Sequence, residues 1–218
     1  MSELLLRLAR MDTCVVSDAL DKLGLSGVAA GLSRLATDRK LAGQILTVRL
    51  EAANGRLADR HLCTAAIEAA RAGDILVIEH HSRTDCAGWG GLLSRAAMVK
   101  GIPGVIVDGM CRDIDESREL GFTVFARGVI PATARGRIIE TDFNCPITVG
   151  SVVVNPGDWV IADGSGVVFL PHQNVEAILT QAEQLVAREV TLLEDIEAGI
   201  PVSQVMSRTY EHMTRKDE

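Results

Sequence analysis

The chain has 218 residues, of which 47% are hydrophobic but only 3% aromatic, and it carries a formal charge of −7 at pH 7. That length suits one large domain or two small ones, with ample material for a core built from Val, Ile, Leu and Ala rather than from rings. A net acidic chain without a basic stripe has no general attraction for nucleic acid, so an anionic ligand would need a local cationic feature.

The N-terminal apolar run is short and broken by Arg7 and Arg10, which argues against a signal peptide. No apolar stretch approaches the roughly 18 residues that cross a membrane, so no membrane partner is expected. Ser2 is placed to cap a first helix running through Met11, and Ser17 a second over residues 18–23 that Gly24 ends. Residues 43–50 alternate and are rich in Ile, Val and Thr, which reads as a strand. Residues 59–71 carry helical spacing at Leu62, Ala65, Ala66, Ala69 and Ala70. Gly73-Asp74 turns into a buried strand at 75–78. Gly88-Trp89-Gly90-Gly91 reads as a flexible loop before a helix over 92–100, closed by Gly101. Pro103-Gly104 feeds an apolar strand at 105–107. A short helix over 115–120 and a strand at 122–126 follow.

Short apolar strands alternating with helices define an α/β pattern. Beyond it the chain turns to β. Strands are expected at 147–154, 159–162 and 167–170, with Asp163-Gly164-Ser165-Gly166 as a tight hairpin turn. Apolar spacing from Val175 to Ile196 marks a long amphipathic helix, able to cover its own sheet or a neighbouring subunit. Gly199 and Pro201 end it, and Ser203 is placed to cap a last short helix. No linker, repeat or low-complexity run divides the chain, so residues 1–218 read as a single domain.

The five cysteines, Cys14, Cys63, Cys86, Cys111 and Cys145, are odd in number and none has CxxC spacing. They read as reduced thiols of a cytoplasmic protein rather than a disulfide framework or zinc knuckle. The histidines, His61, His80, His81, His172 and His212, read as non-catalytic. Adjacent side chains on an extended segment face opposite ways, so His80-His81 makes a poor joint clamp.

Two segments carry chemistry. Glycines before a helix let backbone approach a ligand, and the helix start aims unpaired N–H groups at it, so 88–91 suits a carboxylate; an ordinary turn is the alternative. Asp108-Gly109-Met110-Cys111-Arg112-Asp113 follows a strand end, where ligands gather in α/β sheets. Arg112 offers a planar fork for a carboxylate or enolate, and Asp113 an oxygen suited to Mg²⁺ or Mn²⁺. A surface ion pair is the alternative. Cys111 beside Arg112 offers a minor thiol option. Asp163 reads as a turn residue.

Gly90-Gly91-Leu92-Leu93, Ala96-Ala97, the run from Gly101 to Gly109 and Arg112-Asp113 together resemble the regulator of ribonuclease activity A-like family. Val15 to Gly24, Val154 to Val160 and Ala162 to Val168 extend the resemblance over roughly residues 10–195. That family includes the 4-hydroxy-4-methyl-2-oxoglutarate aldolases, which also decarboxylate oxaloacetate. Older naming of such proteins as demethylmenaquinone methyltransferases finds no S-adenosylmethionine loop here.

The resemblance implies a three-layer β/β/α domain of the swivelling type, assembled as a homotrimer or homohexamer with sites at subunit interfaces. It implies that Gly90, Gly91, Leu92 and Leu93 bind substrate through backbone N–H groups. Arg112 would bind the pyruvyl unit as the catalytic cation, and Asp113 would hold a divalent metal, Mg²⁺ or Mn²⁺. The implied reaction cleaves a C–C bond next to a small 2-oxo-acid through a pyruvate enolate. The alternative is a regulatory protein that binds a partner such as a ribonuclease. Aldolases of the family usually carry an acidic residue where this chain has Gly91.

Overall fold

The computed structural model describes residues 2–206. Helix α1 (Glu3–Arg10) is capped by Ser2, whose hydroxyl accepts the Leu5 N–H at 3.3 Å. Helix α2 (Thr13–Leu23) starts earlier than the sequence suggests. Asp12, not Ser17, is its cap and accepts the Val15 N–H at 2.8 Å. A carboxylate at the positive end of the helix is favoured by the dipole as well as by the hydrogen bond. Val15, Val16, Ala19 and Leu20 form one buried stripe from the first turn, so Ser17 lies inside the helix. Gly24 ends it in the left-handed region, at φ 66°.

Two short strands, β1 (Val28–Ala29) and β2 (Ser33–Ala36), precede the long β3 (Leu41–Ala52). The parallel heart of the sheet then follows as β3, α3 (Thr64–Ala69), β4 (Ile75–Trp89), α4 (Gly91–Val99), β5 (Gly104–Cys111), α5 (Ile114–Leu120) and β6 (Thr123–Val129). Ile75, Leu76, Val77 and Ile78 are all fully buried, as expected of a strand covered on both faces. After β7 (Ile138–Phe143) come the hairpin β8 (Ile147–Val149) and β9 (Val152–Val154), then the hairpin β10 (Trp159–Asp163) and β11 (Gly166–Leu170). The chain closes with α6 (Val175–Glu197) and α7 (Val202–Val205).

Strand β3 joins two sheet segments. Its first half pairs antiparallel with β10, its middle runs parallel to β4, and its last third pairs with β7. The nine-stranded order is β1-β11-β10-β3-β4-β5-β6-β2, with β7 attached to β3. One apolar cluster lies between the parallel strands (Val48, Ile78, Val107) and helices α3 to α5 (Ala66, Leu93, Ala97, Ile114). A second fills the space between the opposite face (Ile45, Val77, Ile106, Phe125) and the inward residues of β10 and β11 (Val160, Val167, Phe169). The third joins their outward residues, Ile161, Val168 and Leu170, to α1, α2 and α6. The expected α/β class and β/β/α layering are therefore present, with the terminal helices added outside the second sheet layer.

Several boundaries differ from the sequence expectation. Helix α3 covers only 64–69 of the expected 59–71, because Cys63 adopts a left-handed φ of 63° and breaks the run. The expected strand 147–154 is split into β8 and β9 by a turn at Gly150, where φ is 60°. Pro201, not Ser203, precedes α7. Strands β1, β2 and β7 carry no clear sequence signal, being two residues long, irregular in register, or polar at an exposed edge. The first half of α6 covers its own fold through Val175, Ile178, Leu179, Ala182 and Leu185. Its second half leaves Val190 and Leu193 exposed. Among the described residues no helix is long and apolar enough to cross a membrane. His212 lies outside the described residues.

Candidate active site

Strands β4 and β5 end side by side, with Trp89 registered against Cys111. The Arg112 N–H donates to the Trp89 carbonyl at 3.0 Å, which fixes the next two residues over the start of α4. The expected flexible loop at 88–91 is in fact the end of β4 and the first residue of α4, with Gly90 as its cap. Trp89 is buried and stacks on Phe122 at 6.0 Å between ring centroids. Its indole N–H donates to the Ser94 hydroxyl at 2.9 Å, and Ser94 meets Ser117 at 3.1 Å. This buried relay ties the start of α4 to α5.

Asp113 is the cap residue of α5, at φ 57° and ψ 39°. A left-handed non-glycine residue costs on the order of 1 kcal/mol and persists only where its surroundings hold it. Here the Gly91 N–H donates to Asp113 Oδ2 at 3.0 Å, and the Ser117 N–H donates to the Asp113 carbonyl at 3.1 Å. Arg112 Nε stands 3.3 Å from the same Oδ2. Both side chains are about two-fifths exposed, so this pair adds little stability. Gly90 has an extended backbone that any residue adopts, but a Cβ there would lie 2.8 Å from Asp113 Oδ2. A side chain at position 90 would have to displace the Asp113 carboxylate.

Arg112, Asp113 and residues 90–93 line one cavity of about 400 Å³. Its other walls come from the segment 56–62, from residues 133–136 after β6, and from Ile138 and Ile139 of β7. His61 reads as non-catalytic from sequence, and no local pattern marks the other residues of these walls. They are far apart in the chain and meet only because β7 pairs with β3. Glu140, buried on β7, holds the 56–62 wall by accepting from Arg60 at 2.9 Å and from the Cys63 N–H. Arg56, Arg60, His61 and Arg135 face the cavity beside Arg112. A scatter of arginines in an acidic chain was the one available signal. Arg56 is paired with Glu51 at 3.1 Å, whereas the Arg135 side chain has no partner among the described residues.

Helix α4 has no side-chain cap of its own. Asp113 occupies the Gly91 N–H, and the N–H groups of Leu92 and Leu93, in the first turn, have no acceptor within the helix. A carboxylate fits such a terminus. Asp113 Oδ1 has no hydrogen-bond partner among the described residues, so one carboxylate oxygen remains for a cation. No group of three or more His, Cys, Asp and Glu side chains among the described residues forms a metal cage. A single free carboxylate oxygen is the kind of donor that a hard, largely hydrated ion such as Mg²⁺ or Mn²⁺ takes, whereas zinc needs a fuller set of side chains.

Other candidates fall away. Cys111 is fully buried, and burial pushes its thiol far up, against the lowering expected from Arg112, so it is no nucleophile. His80 is buried with Nε2 2.9 Å from the Cys86 carbonyl, and His81 turns outward at φ 51°. Asp163 accepts from the Thr13 N–H and hydroxyl and from the Ser165 N–H, as a turn residue does.

The family model described as RraA-like, Aldolase/RraA, matches residues 13–169. Protein DlpA of Legionella pneumophila is 26% identical over 204 residues, 94% of this chain, which spans only 33% of DlpA's length. A protein of Halalkalibacterium halodurans, provisionally named as a 4-hydroxy-4-methyl-2-oxoglutarate aldolase, is 33% identical over 79% of this chain and 78% of its own. The crystal structure of Streptomyces coelicolor RraAS2, described as an unusual member of the RNase ES inhibitor RraA family, superposes with a TM-score of 0.80 at 26% identity. That match covers 88% of this chain and 96% of RraAS2. The names of these relatives thus span both aldolase and ribonuclease inhibitor, and the chain belongs to the RraA-like (Aldolase/RraA) family.

Proposed function

We propose that the protein is a divalent-metal-dependent lyase that cleaves a carbon–carbon bond next to a 2-oxo-acid. The observation that carries this reading is the junction of Arg112, Asp113 and the uncapped start of α4 in one cavity. The N–H groups of Leu92 and Leu93 bind the substrate carboxylate, with Gly90 and Gly91 allowing its approach. A cation held by Asp113 supplies Lewis-acid polarisation of the keto oxygen when bound. Arg112 aims its guanidinium at the oxygen on which negative charge develops, and so favours the transition state over the ground state.

In retro-aldol cleavage the C3–C4 bond breaks and its electron pair passes into a pyruvate enolate, while the C4 hydroxyl loses its proton to form the second carbonyl. In decarboxylation of oxaloacetate the same enolate receives the pair from the departing CO₂. Protonation of its methylene carbon gives pyruvate in both cases. Arg56 and Arg60 are paired with Glu51 and Glu140, so Arg135 gives the far wall its positive bias, suited to a second carboxylate, which favours 2-oxo-dicarboxylates as substrates. Pyruvate release should therefore be seen with Mg²⁺ or Mn²⁺ over a panel of 2-oxo-acids and should stop with chelator. Asp113→Asn should lose that metal response while remaining folded. Turnover indifferent to chelator would end the reading.

The likeness to RraAS2 favours a second reading, a protein that binds a ribonuclease without turnover. Absence of pyruvate release from every substrate and metal, together with inhibition of a purified ribonuclease E-type enzyme, would select it.

A further inference from the structure

We propose that Glu116 is the second acidic group of the cation site, reaching from α5 into the side-chain space left empty at Gly91; this rests on the lyase reading above. Gly91 lies in the first turn of α4 and is not in the left-handed region. Its backbone does not require glycine, and glycine within a helix costs roughly 0.5–1 kcal/mol relative to alanine. The space beside it is taken by another side chain, whose flexible end would have to move for any residue larger than glycine. A Cβ at position 91 would lie 1.9 Å from Glu116 Oε2, 2.5 Å from Glu116 Cδ and 3.3 Å from Asp113 Cβ. The Glu116 carboxylate therefore sits inside the volume that a residue-91 side chain would fill, alongside Asp113.

Helix geometry explains the placement. Asp113 precedes α5 in the left-handed region and Glu116 lies in its first turn, and both side chains face Gly91 of α4. Arg95 Nε donates to Glu116 Oε1 at 2.7 Å and orients the carboxylate. Oε2 faces Gly91 and has no hydrogen-bond partner among the described residues. Arg95 is 57% exposed and Glu116 34%, so solvent screens the pair, which by itself gives Glu116 little reason to hold this position. A hydrated cation on Asp113 supplies such a reason: its water shell needs acceptors, and Oε2 is a charged acceptor beside it. Glu116 is thus a positioning residue, acting through the cation's water rather than on substrate.

Direct Mn²⁺ binding, read by electron paramagnetic resonance of the free ion with the full chain, tests this without turnover. Glu116→Gln and Glu116→Ala should bind Mn²⁺ about tenfold more weakly than wild type. The double variant Glu116→Ala/Gly91→Asp should recover affinity toward wild type, because it restores a carboxylate to the same space. Thermal midpoints recorded alongside separate the two roles, since a purely structural Glu116 would lower the midpoint and leave Mn²⁺ affinity unmoved. Unchanged affinity in the Glu116 variants, or no recovery in the double variant, would overturn the inference and leave the lyase reading standing. Wild-type protein that binds no Mn²⁺ would overturn both.

Discussion

Helices α2 and α4 solve one local problem to different degrees. Both begin with N–H groups that the helix cannot satisfy. At α2 two carboxylates supply the answer: Asp12, the preceding residue, accepts from Val15 and Asp163 of β10 from Thr13, while Gly24 closes the other end. Around it Arg7 grips Glu183 at 2.7 and 2.9 Å, and Asp163 is saturated by Thr13 and Ser165. At α4 the cap is a glycine without a side chain, and the acceptor comes from another element through a strained Asp113. Leu92 beside it is 77% exposed. The first region puts its residues to the service of stability. The second leaves donors, a carboxylate oxygen and strain uncommitted, as a site that must bind and release a ligand requires.

Substitutions at the two regions should break this contrast differently. Arg112→Lys keeps the charge but loses the planar fork, and turnover should fall by about a hundredfold with little change in thermal midpoint. Near-normal rates would remove Arg112 from the mechanism. Ile178→Ala, in the fully buried face of α6, should do the reverse. It should cost about 2–5 kcal/mol of stability in urea titration while turnover per folded molecule is kept. A drop in specific activity with unaltered unfolding would show that the regions are coupled.

Smaller effects sharpen the comparison. Arg135→Ala should raise KM for a dicarboxylate about tenfold and leave kcat nearly unchanged, since an unpaired rim cation contributes binding that is uniform along the reaction. A matching fall in kcat would bring Arg135 into the chemistry.

The last effect is one of pH. His80 is buried between Gly88 and Gly109, where a Cβ would come within 3.1 and 2.3 Å of its ring. A carbonyl only accepts, so Nε2 donates to Cys86 and Nδ1 is the bare nitrogen. Burial lowers its pKa below the ordinary 6.5, so the folded protein binds fewer protons than the unfolded chain. The stability tied to neutral His80 is full above pH 6.5 and declines as pH falls below it toward the lowered value. Urea midpoints at pH 7.5 and 5.0 should differ in that direction, and His80→Asn should flatten the slope. An unchanged slope would place the titrating group elsewhere.

Local pattern determined much of this protein. The buried strands at 75–78 and 105–107, the helices of the β-α-β units, the Asp163 to Gly166 hairpin and α6 follow from apolar periodicity and turn chemistry, which act between near neighbours. Arg112 and Asp113 stood out for the same reason, because a strand end announces itself in the next few residues. Tertiary structure decided the rest. The cavity's far wall depends on β7 joining β3, a pairing across about ninety residues that no local signal encodes. Residues 88–91 became strand and helix start, not loop, because β4 continues past Ile78 along β5. The space at Gly91 is filled from α5 by Glu116, since a side chain's reach between helices is set by packing. Sequence periodicity states which face of an element is buried; only the assembled layers determine which two elements share a face, and there the site is made.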